Sequence, residues 1–414
     1  MVIEKTQERI KNCLNEGEEL RLNEKSFTRK GKLGAKRILH LILQRIYLAL
    51  QLHLDNYYDE IGECPVSKQA FSKARKNLSP EYVRGFADMT SEVAAGDETM
   101  PSYEGMRLIA IDGSDAALGN TPELKEVFGC SGSKKNAATA LCSLAYGPLD
   151  HVIYDCRMDR YDKDERDLAK QHVIRLKELD LDGSLLLFDR WYPSAEFIAF
   201  LYESGFHFVM RVRRKWNLEA DSMKTQGWIS VTHNDKTYPV RVLKITLSTG
   251  EIETLLTSLH QKQLPIRKAG PLYFERWKVE TAYDLIRLSF NSKISQVNFS
   301  GKTKASVLQD FYATIYLANV AAFAAEEADK RISDADRDKE LKYPRQANRN
   351  RTIAKLRSIF LCLIMEQDAD LRDAMLDKLV VSIAERPVSV VPDRSPLRKP
   401  PRKKRFHMAK KSVV

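Results

Sequence analysis

The sequence lacks the cysteine and histidine motifs that usually hold zinc. Its six cysteines are scattered, and no two of them have CxxC spacing. The eight histidines show no HxxxH or similar metal spacing either. These absences argue against a structural zinc site and against a histidine-based metal motif. Scattered, unpaired cysteines are also typical of an intracellular protein whose thiols stay reduced.

The chain also lacks a long hydrophobic run. Its most apolar segment, 311–325, holds 15 residues and is interrupted by Thr314 and Asn319, whereas a membrane-spanning helix needs about 20 apolar residues. The first twelve residues do not contain the apolar stretch of a signal peptide. We therefore expect a cytoplasmic protein with no membrane segment.

Charge is unevenly distributed along the chain. The net charge is +11, and the stretch from Arg386 to the C-terminus has ten Lys or Arg residues against one acid, Asp393. A basic protein of this size often binds a polyanion, and nucleic acid is the commonest one. We expect the tail, including Arg402 and Lys403, to bind DNA phosphates without reading bases.

The N-terminal segment, residues 1–95, has helical periodicity. One helix is predicted over 35–54, and a second runs from an N-cap at Ser67 to about Leu78. A helical pair with a basic second member is typical of helix-turn-helix DNA-binding units, although a solvated basic face explains the pattern equally well. The candidate DNA-binding side chains are Arg29 and Lys30 before the first helix and Lys68, Lys73 and Arg75 on the second.

The pattern changes after residue 95 to alternating strands and helices. Strands are predicted at 107–111, 139–146, 151–156, 184–188 and 206–212, with helices at 164–179 and 193–203. This β-β-β-α-β-α-β order predicts an α/β fold whose first three strands meander and whose later strands pair in parallel. The predicted segments are an N-terminal helical DNA-binding domain (1–95), a catalytic core (96–215), a β insertion (216–269), a second part of the core (270–330) and a C-terminal helical region with a basic tail (331–414).

Two acids follow strands that this order places side by side. Asp112 ends the first strand and Asp189 ends the fourth. A single acid at a strand end usually caps a turn, but two at corresponding ends of parallel neighbours are expected to converge. Converging carboxylates suit a divalent metal that assists phosphoryl transfer.

A third acid is expected from the helical segment 273–290. With about 100° per residue, Arg276 lies about 40° from Glu280 around a helix, and Tyr273 and Arg287 lie about 20° to either side. Arg276 and Glu280 also suit a solvent-exposed i,i+4 pair. Asp284 is within about 40° of Glu280 as well, so the geometry leaves both acids as candidates.

The spacing Tyr273-(2)-Arg276-(3)-Glu280-(6)-Arg287 resembles the Y-(2)-R-(3)-E-(6)-K signature of bacterial insertion-sequence transposases of the DDE class. Arg287 stands where that family usually has Lys, and a guanidinium is not equivalent to an ammonium. Further resemblance lies in the segments 27–30, 66–75, 111–114 and 188–194, where Trp191 replaces a commoner Gly. The resemblance covers roughly residues 25–330.

This resemblance implies a ribonuclease H-like core that binds two magnesium or manganese ions through Asp112, Asp189 and Glu280. It implies that Tyr273, Arg276 and Arg287 contact DNA. The partners would be transposon ends and target DNA, bound by a homodimer in a bacterial cytoplasm. One tryptophan would hold a displaced base, the candidates being Trp191, Trp216, Trp228 and Trp277. The alternatives are a nuclease of the same fold that does not join strands and a non-catalytic DNA-binding protein.

An acidic run precedes the fourth strand and is expected to be a solvated turn and helix start. Its members are Asp155, Asp159, Asp162, Asp164, Glu165 and Asp167.

Overall fold

The computed structural model describes residues 1–13, 17–28, 31–44, 49–131, 137–247, 249–288 and 301–391. For residues 17–18, 137 and 284–288 it describes the backbone but not the side chains. Several predicted DNA-binding positions therefore lie outside the described residues, namely Arg29, Lys30, Arg402, Lys403 and the side chain of Arg287. None of the helices in these ranges is long and apolar enough to cross a membrane.

The helices, in chain order, are α1 (Val2–Asn12), α2 (Gly17–Leu20), α3 (Ala35–Gln44), α4 (Leu50–Glu60), α5 (Lys68–Arg75), α6 (Pro80–Ala95), α7 (Pro122–Phe128), α8 (Glu165–Glu178), α9 (Ala195–Glu203), α10 (Leu218–Ser222), α11 (Ile266–Phe274), α12 (Lys278–Leu288), α13 (Lys304–Asp336), α14 (Arg349–Met365) and α15 (Ala369–Ala384). A 3₁₀ turn, Glu275–Trp277, joins α11 to α12. The predicted N-cap is confirmed, because the Ser67 hydroxyl accepts from a backbone N–H group of the first turn of α5. Ser194 caps α9 in the same way.

The strands, in chain order, are β1 (Leu108–Ala117), β2 (Cys130–Ser131), β3 (Ala137–Tyr146), β4 (Ile153–Arg160), β5 (Leu185–Phe188), β6 (His207–Val212), β7 (Gln226–His233), β8 (Lys236–Thr246), β9 (Ile252–Thr257), β10 (Arg345–Gln346) and β11 (Val388–Ser389). In the described chain β1 to β9 form one sheet of order β2-β3-β1-β5-β6-β9-β8-β7, with β4 also paired to β3.

The central part of this sheet confirms the predicted fold class. Strands β1, β3 and β4 pair antiparallel as a meander, and β5 and β6 pair parallel beside β1. The chain therefore has the mixed α/β sheet that the sequence predicts. The first strand, however, does not stop at Ile111 as predicted. It continues to Ala117 because β3 stays paired along it, which places Asp112 inside the strand.

The segment predicted as a separate β insertion extends the same sheet. Strand β9 pairs antiparallel with β6, and β8 and β7 follow at that edge. Buried apolar side chains such as Val242 and Leu256 line the added strands. The insertion therefore enlarges the core sheet through backbone hydrogen bonds.

The chain forms two compact units, Pro80–Asn319 and a second unit that joins Met1–Ser79 to the described residues from Val320 onward. The first boundary lies at Ser79, whereas the sequence placed it at residue 95. The reason is that α6 belongs to the sheet unit, where Phe86 makes an edge contact with Tyr316. In the helical unit, α1 contacts α15 through Arg372, which donates to Gln7 and Glu4.

Candidate functional site

The two predicted aspartates lie at the same edge of the central sheet. The parallel register pairs Leu108 with Leu185 and Ala110 with Leu187. Continued by two residues, this register places Asp112 level with Asp189, just beyond the end of β5. The predicted adjacency of their strands is thus confirmed, and its cause is the parallel pairing of β1 with β5.

Asp112 lies in a partly buried, acidic environment. Its side chain is 17% exposed, and burial raises its pKa to about 7. Nearby Asp189 and Glu165 raise that pKa as well, whereas Arg276 and the Gly113 amide lower it. Because burial is the largest cause of the raised pKa, ionising the Asp112 carboxyl is costly despite the nearby Arg276.

Asp189 is held by the turn that follows β5. It is half-buried, and its Oδ1 accepts a hydrogen bond from the backbone N–H of Trp191 at 2.7 Å. An aspartate that bonds to the backbone two residues later forms an Asx turn, which restricts the side-chain direction. The carboxylate direction is therefore fixed by local backbone geometry.

The helical segment departs from the prediction of one continuous helix. The 3₁₀ turn Glu275–Trp277 separates α11 from α12, and each 3₁₀ residue advances about 120° where an α-helical residue advances about 100°. Tyr273 and Arg276 are buried, at 3% and 6% exposure, whereas Glu280 is exposed. The angles of a regular α-helix therefore do not apply across these three residues.

Buried contacts link this segment to the aspartate edge. Tyr273 donates its hydroxyl to the carbonyl of Phe188, next to Asp189, at 3.2 Å. Arg276 Nη1 lies 3.3 Å from Asp112 Oδ2, and its guanidinium lies 4.8 Å from the centre of the Trp277 ring. Arg276 therefore supplies positive charge to Asp112 in the free protein.

The edge offers oxygen donors that suit a hard divalent cation. The carboxylates of Asp112 and Asp189 have that chemistry, and positive charge beside the buried Asp112 carboxylate would favour its ionised form. Across the described ranges, however, no group of three or more His, Cys, Asp or Glu side chains has a metal-holding arrangement. The structure therefore brings together the first two predicted acids, while Glu280 lies on the exposed side of α12.

Glu165 also lies at this edge, although its position in an acidic run predicts a solvated side chain. It is half-buried and lies against Gly113. A Cβ added at Gly113 would be 2.9 Å from the carboxyl carbon of Glu165. Tyr192 donates to Glu165 Oε2 at 3.2 Å. Burial, Asp189 and Asp115 raise the Glu165 pKa, although the Tyr192 hydrogen bond lowers it. Its sequence position, the first residue of a capped helix, gave no signal of this contact.

The rest of the acidic run divides by burial. Asp162, Asp164 and Asp167 are exposed, as expected. Asp155 is 3% exposed, which corrects the expectation of a solvated position. A signal was available here, because Asp155 interrupts an apolar strand and a buried acid needs a partner.

The tryptophan candidates differ in exposure and contact. Trp191 is 60% exposed, and the guanidinium carbon of Arg213 lies 3.2 Å from its ring centre. Trp216 donates to the carbonyl of Pro193, and Trp228 is 44% exposed on β7. Trp191 is therefore both exposed and near Asp189 in sequence.

The basic residues of α5 also divide by burial. Lys68 and Lys73 are exposed. Arg75 is 8% exposed, with its guanidinium 5.6 Å from the Phe71 ring centre. Burial gives Arg75 a packing role, in contrast to the phosphate contact predicted for it.

Comparisons with known proteins show which families the chain is similar to. A family model described as "Transposase DDE domain" matches residues 103–295, which include both aspartates and Glu280. The chain is 23% identical over 312 residues to the transposase InsG of insertion sequence element IS4 from Escherichia coli K12, covering 70% of this chain and 66% of that protein. It is 22% identical over 221 residues to InsZ of the same organism, covering 51% of this chain and 68% of InsZ. The alignments thus span about two thirds of each relative. A solved structure of the piggyBac transposase synaptic complex with hairpin DNA has a TM-score of 0.45 at 11% identity, covering 87% of this chain and 77% of that one.

Proposed function

We propose that the chain is a DDE transposase of insertion sequences, the group to which it is similar, and that it cleaves DNA at the ends of an insertion sequence and joins those ends to target DNA. The observation that carries the proposal is the level placement of Asp112 and Asp189 by the β1–β5 register. Both residues fall inside the region that the family model matches.

The proposed reaction has two phosphoryl transfers. In the first, a water oxygen attacks a phosphorus atom at the transposon end, and the bond to the 3′ oxygen breaks to leave a 3′-hydroxyl and a 5′-phosphate. In the second, that 3′-hydroxyl attacks a target phosphodiester, and one P–O bond forms as another breaks. Neither step needs an oxidant or an external energy source.

Members of this family depend on a divalent metal, and we propose magnesium or manganese, with two ions held by Asp112, Asp189 and Glu280. When bound, the metal would supply positive charge for the attacking and leaving oxygens. The chain's part is to hold the oxygen donors on rigid elements: Asp112 within β1, and Asp189 in the Asx turn after β5. Glu280 completes the proposed triad from α12, with Asp284 as its rival.

We further propose that Arg276, Tyr273 and Arg287 contact the DNA backbone near the cut. In the free protein the guanidinium of Arg276 faces Asp112. Its fork of N–H donors suits phosphate oxygens once other positive charge neutralises the carboxylates. The Tyr273 hydroxyl, bonded to the Phe188 carbonyl, places this segment beside Asp189.

The proposed DNA surface of the helical unit includes Lys68 and Lys73, which are exposed on α5. Arg29, Lys30, Arg402 and Lys403 are proposed to add phosphate contacts, which would make binding strongly salt-dependent. We propose that a homodimer holds the paired ends. Its mass on end DNA, measured by light scattering, would show two chains per pair of ends, and a single chain would contradict this assembly.

The function is tested with a duplex that carries the inverted repeat flanking the reading frame, incubated with the full chain and Mg²⁺ or Mn²⁺. We expect strand cleavage by the wild type and none by Asp112→Asn, Asp189→Asn or Glu280→Gln. Asp182→Asn is the matched control, since Asp182 is exposed and precedes β5 where Asp189 follows it. Full cleavage by either aspartate variant would overturn the assignment of Asp112 and Asp189 as catalytic. Loss of cleavage in Asp284→Asn but not in Glu280→Gln would make Asp284 the third catalytic acid.

A second arm separates the related functions. Pre-cleaved ends with free 3′-hydroxyls are offered together with plasmid target DNA. Joined products support transposition. Cleavage without joining would identify a nuclease, and metal-independent DNA binding without cleavage would identify a non-catalytic DNA-binding protein.

A further inference from the structure

A chain of buried polar groups runs from β4 through α8 to the backbone of Asp112. His172 on α8 is fully buried. Its Nδ1 lies 2.7 Å from Asp155 Oδ2, and its Nε2 lies 2.9 Å from Ser143 Oγ. Ser143, also fully buried, donates to the carbonyl oxygen of Asp112 at 3.2 Å. Buried polar groups are stable only when bonded, so each contact constrains the next.

Two links in this chain have a defined hydrogen direction. Ser143 donates its hydroxyl hydrogen to the Asp112 carbonyl. The Asp155 carboxylate can only accept, so His172 Nδ1 donates to it. Between them, His172 Nε2 lies 2.9 Å from Ser143 Oγ and connects the two links.

Asp155 is itself fixed at the start of this chain. Its Oδ2 also accepts from Arg157 Nε at 2.7 Å, and its Oδ1 lies 3.4 Å from Arg84 Nη2. Burial alone would raise the Asp155 pKa, but His172, Arg157 and Arg84 together lower it below its ordinary value. A stable carboxylate at this position orients the imidazole, as a carboxylate does for many functional histidines.

The arrangement of Ser143, His172 and Asp155 does not suit nucleophilic catalysis. Ser143 and His172 have no exposed surface, so the hydroxyl cannot meet a substrate. Its hydrogen bond is directed to the backbone of β1, at the position where β5 has ended and gives that strand no further partner. The chain of bonds therefore acts on the conformation of β1.

A second donor reaches the same carbonyl from another helix. Tyr283, on α12, donates its hydroxyl to the Asp112 carbonyl at 2.7 Å and lies 3.1 Å from the carbonyl of Cys142. The Asp112 carbonyl thus accepts from Ser143 on β3 and from Tyr283 on α12. A carbonyl held from two sides leaves the adjoining side chain little freedom of direction.

We propose that Ser143 and His172 are positioning residues, which fix the backbone at Asp112 and thereby the direction of its carboxylate. The kinetic consequence rests on the proposed function, but the structural consequence does not. Asp155 orients His172, and Tyr283 supports the same carbonyl from α12.

The structural consequence can be measured by nuclear magnetic resonance. Asp112–Gly113 and Asp182–Gly183 are the two Asp-Gly pairs in the sequence. Labelling Asp carbonyl carbons with ¹³C and Gly nitrogens with ¹⁵N therefore gives two correlated signals, the second being an internal reference. We expect Ser143→Ala to move the Asp112 carbonyl signal upfield and to leave that of Asp182 in place. An unchanged Asp112 signal would overturn the proposal, whether or not the protein cuts DNA.

The kinetic consequence is measured by single-turnover cleavage of end DNA by the full chain. We expect Ser143→Ala and His172→Phe to lower the cleavage rate about tenfold, with DNA affinity unchanged, because the carboxylate is misdirected. His172→Gln should recover part of the rate, since its amide keeps a donor toward Ser143. Ser184→Ala is the matched control, because Ser184 is a buried serine that donates to the backbone carbonyl of Leu181.

The outcomes of this assay separate the two proposals. Wild-type chain that does not cleave would count against the proposed function, and the resonance measurement would still decide the positioning role. Wild type that cleaves while Ser143→Ala and His172→Phe keep the full rate would overturn the positioning role alone.

Discussion

The strand edge at β1 and β5 and the helical segment 266–288 both supply residues to the proposed site, but they differ in how their geometry arises. At the strand edge, backbone pairing sets the register, so Asp112 and Asp189 are level independently of their side-chain conformations. In the helical segment, a 3₁₀ turn changes the rotation between Tyr273 and Glu280. Parallel strand pairing thus fixes the relative positions of residues reliably. The spacing of residues in the sequence, by contrast, does not show that a helix is uninterrupted.

The largest expected effect comes from lengthening the two strand acids by one methylene each. We expect Asp112→Glu and Asp189→Glu to lower the single-turnover cleavage rate about 100-fold, because rigid strands cannot retract to accommodate the longer side chain. Shortening Glu280→Asp should have a smaller effect, since it lies on an exposed helix face. A larger loss in Glu280→Asp than in both strand variants would contradict the contrast.

The ionised carboxylate of Asp112 should also destabilise the metal-free protein. Because the folded-state pKa of Asp112 is raised from 3.8 to about 7, the folded state binds this proton more tightly than the unfolded state. Its contribution to stability is complete below pH 3.8 and is lost as the pH rises through about 7. We expect Asp112→Asn to raise the free energy of unfolding by up to about 4 kcal/mol above that pH, but not at acid pH.

Urea unfolding of wild type and Asp112→Asn, carried out without divalent metal on both sides of that pH range, measures this difference. Asp182→Asn, at an exposed position, should change stability equally little at both pH values. Equal stability of wild type and Asp112→Asn at the higher pH would show that the carboxylates do not strain this edge.

Arg276 connects the two regions and offers a third test. Its positive charge lowers the Asp112 pKa, so Arg276→Gln should raise that pKa and move the acid limb of the pH–rate profile to higher pH. We expect about a tenfold loss of cleavage rate near neutral pH, partly recovered at higher pH. Arg276→Lys keeps the charge and should shift the limb less. An unchanged midpoint of the pH–rate profile in Arg276→Gln would show that Arg276 does not control the Asp112 pKa.

Gly113 tests how closely Glu165 approaches the strand edge. A Cβ at this position would lie 2.9 Å from the Glu165 carboxyl carbon, so Gly113→Ala must displace that side chain and should reduce stability by about 1 kcal/mol. In a Glu165→Ala background the same substitution should have almost no effect. Equal losses in both backgrounds, measured by urea unfolding, would place the strain elsewhere.

The smallest expected effect concerns α5. Lys68→Ala and Lys73→Ala should each reduce the log–log salt slope of DNA affinity by about 0.9, the value for one neutralised phosphate. Arg75→Ala should leave the slope unchanged and lower stability, because Arg75 packs against Phe71. Fluorescence anisotropy over a salt series tests this, and a reduced slope in Arg75→Ala would assign DNA contact to the buried residue.

Much of the sheet could be predicted from the sequence because strands leave short apolar runs with turns between them. Asp112 and Asp189 followed from that order, since parallel neighbours end at the same edge. The extension of β1 beyond Asp112 could not be predicted, because it depends on the length of the paired strand β3. The contacts of Glu165, Ser143 and His172 could not be predicted for a similar reason, since they depend on how α8 packs on the sheet.

Asp112 and Asp189 together are proposed to form a divalent cation site. Electron paramagnetic resonance of free Mn²⁺, titrated into the full chain with end DNA, measures the Mn²⁺ affinity of that site. We expect Asp112→Asn and Asp189→Asn each to weaken Mn²⁺ binding at least about tenfold, while Asp182→Asn binds like the wild type. Wild-type Mn²⁺ affinity in both Asp112→Asn and Asp189→Asn would contradict it.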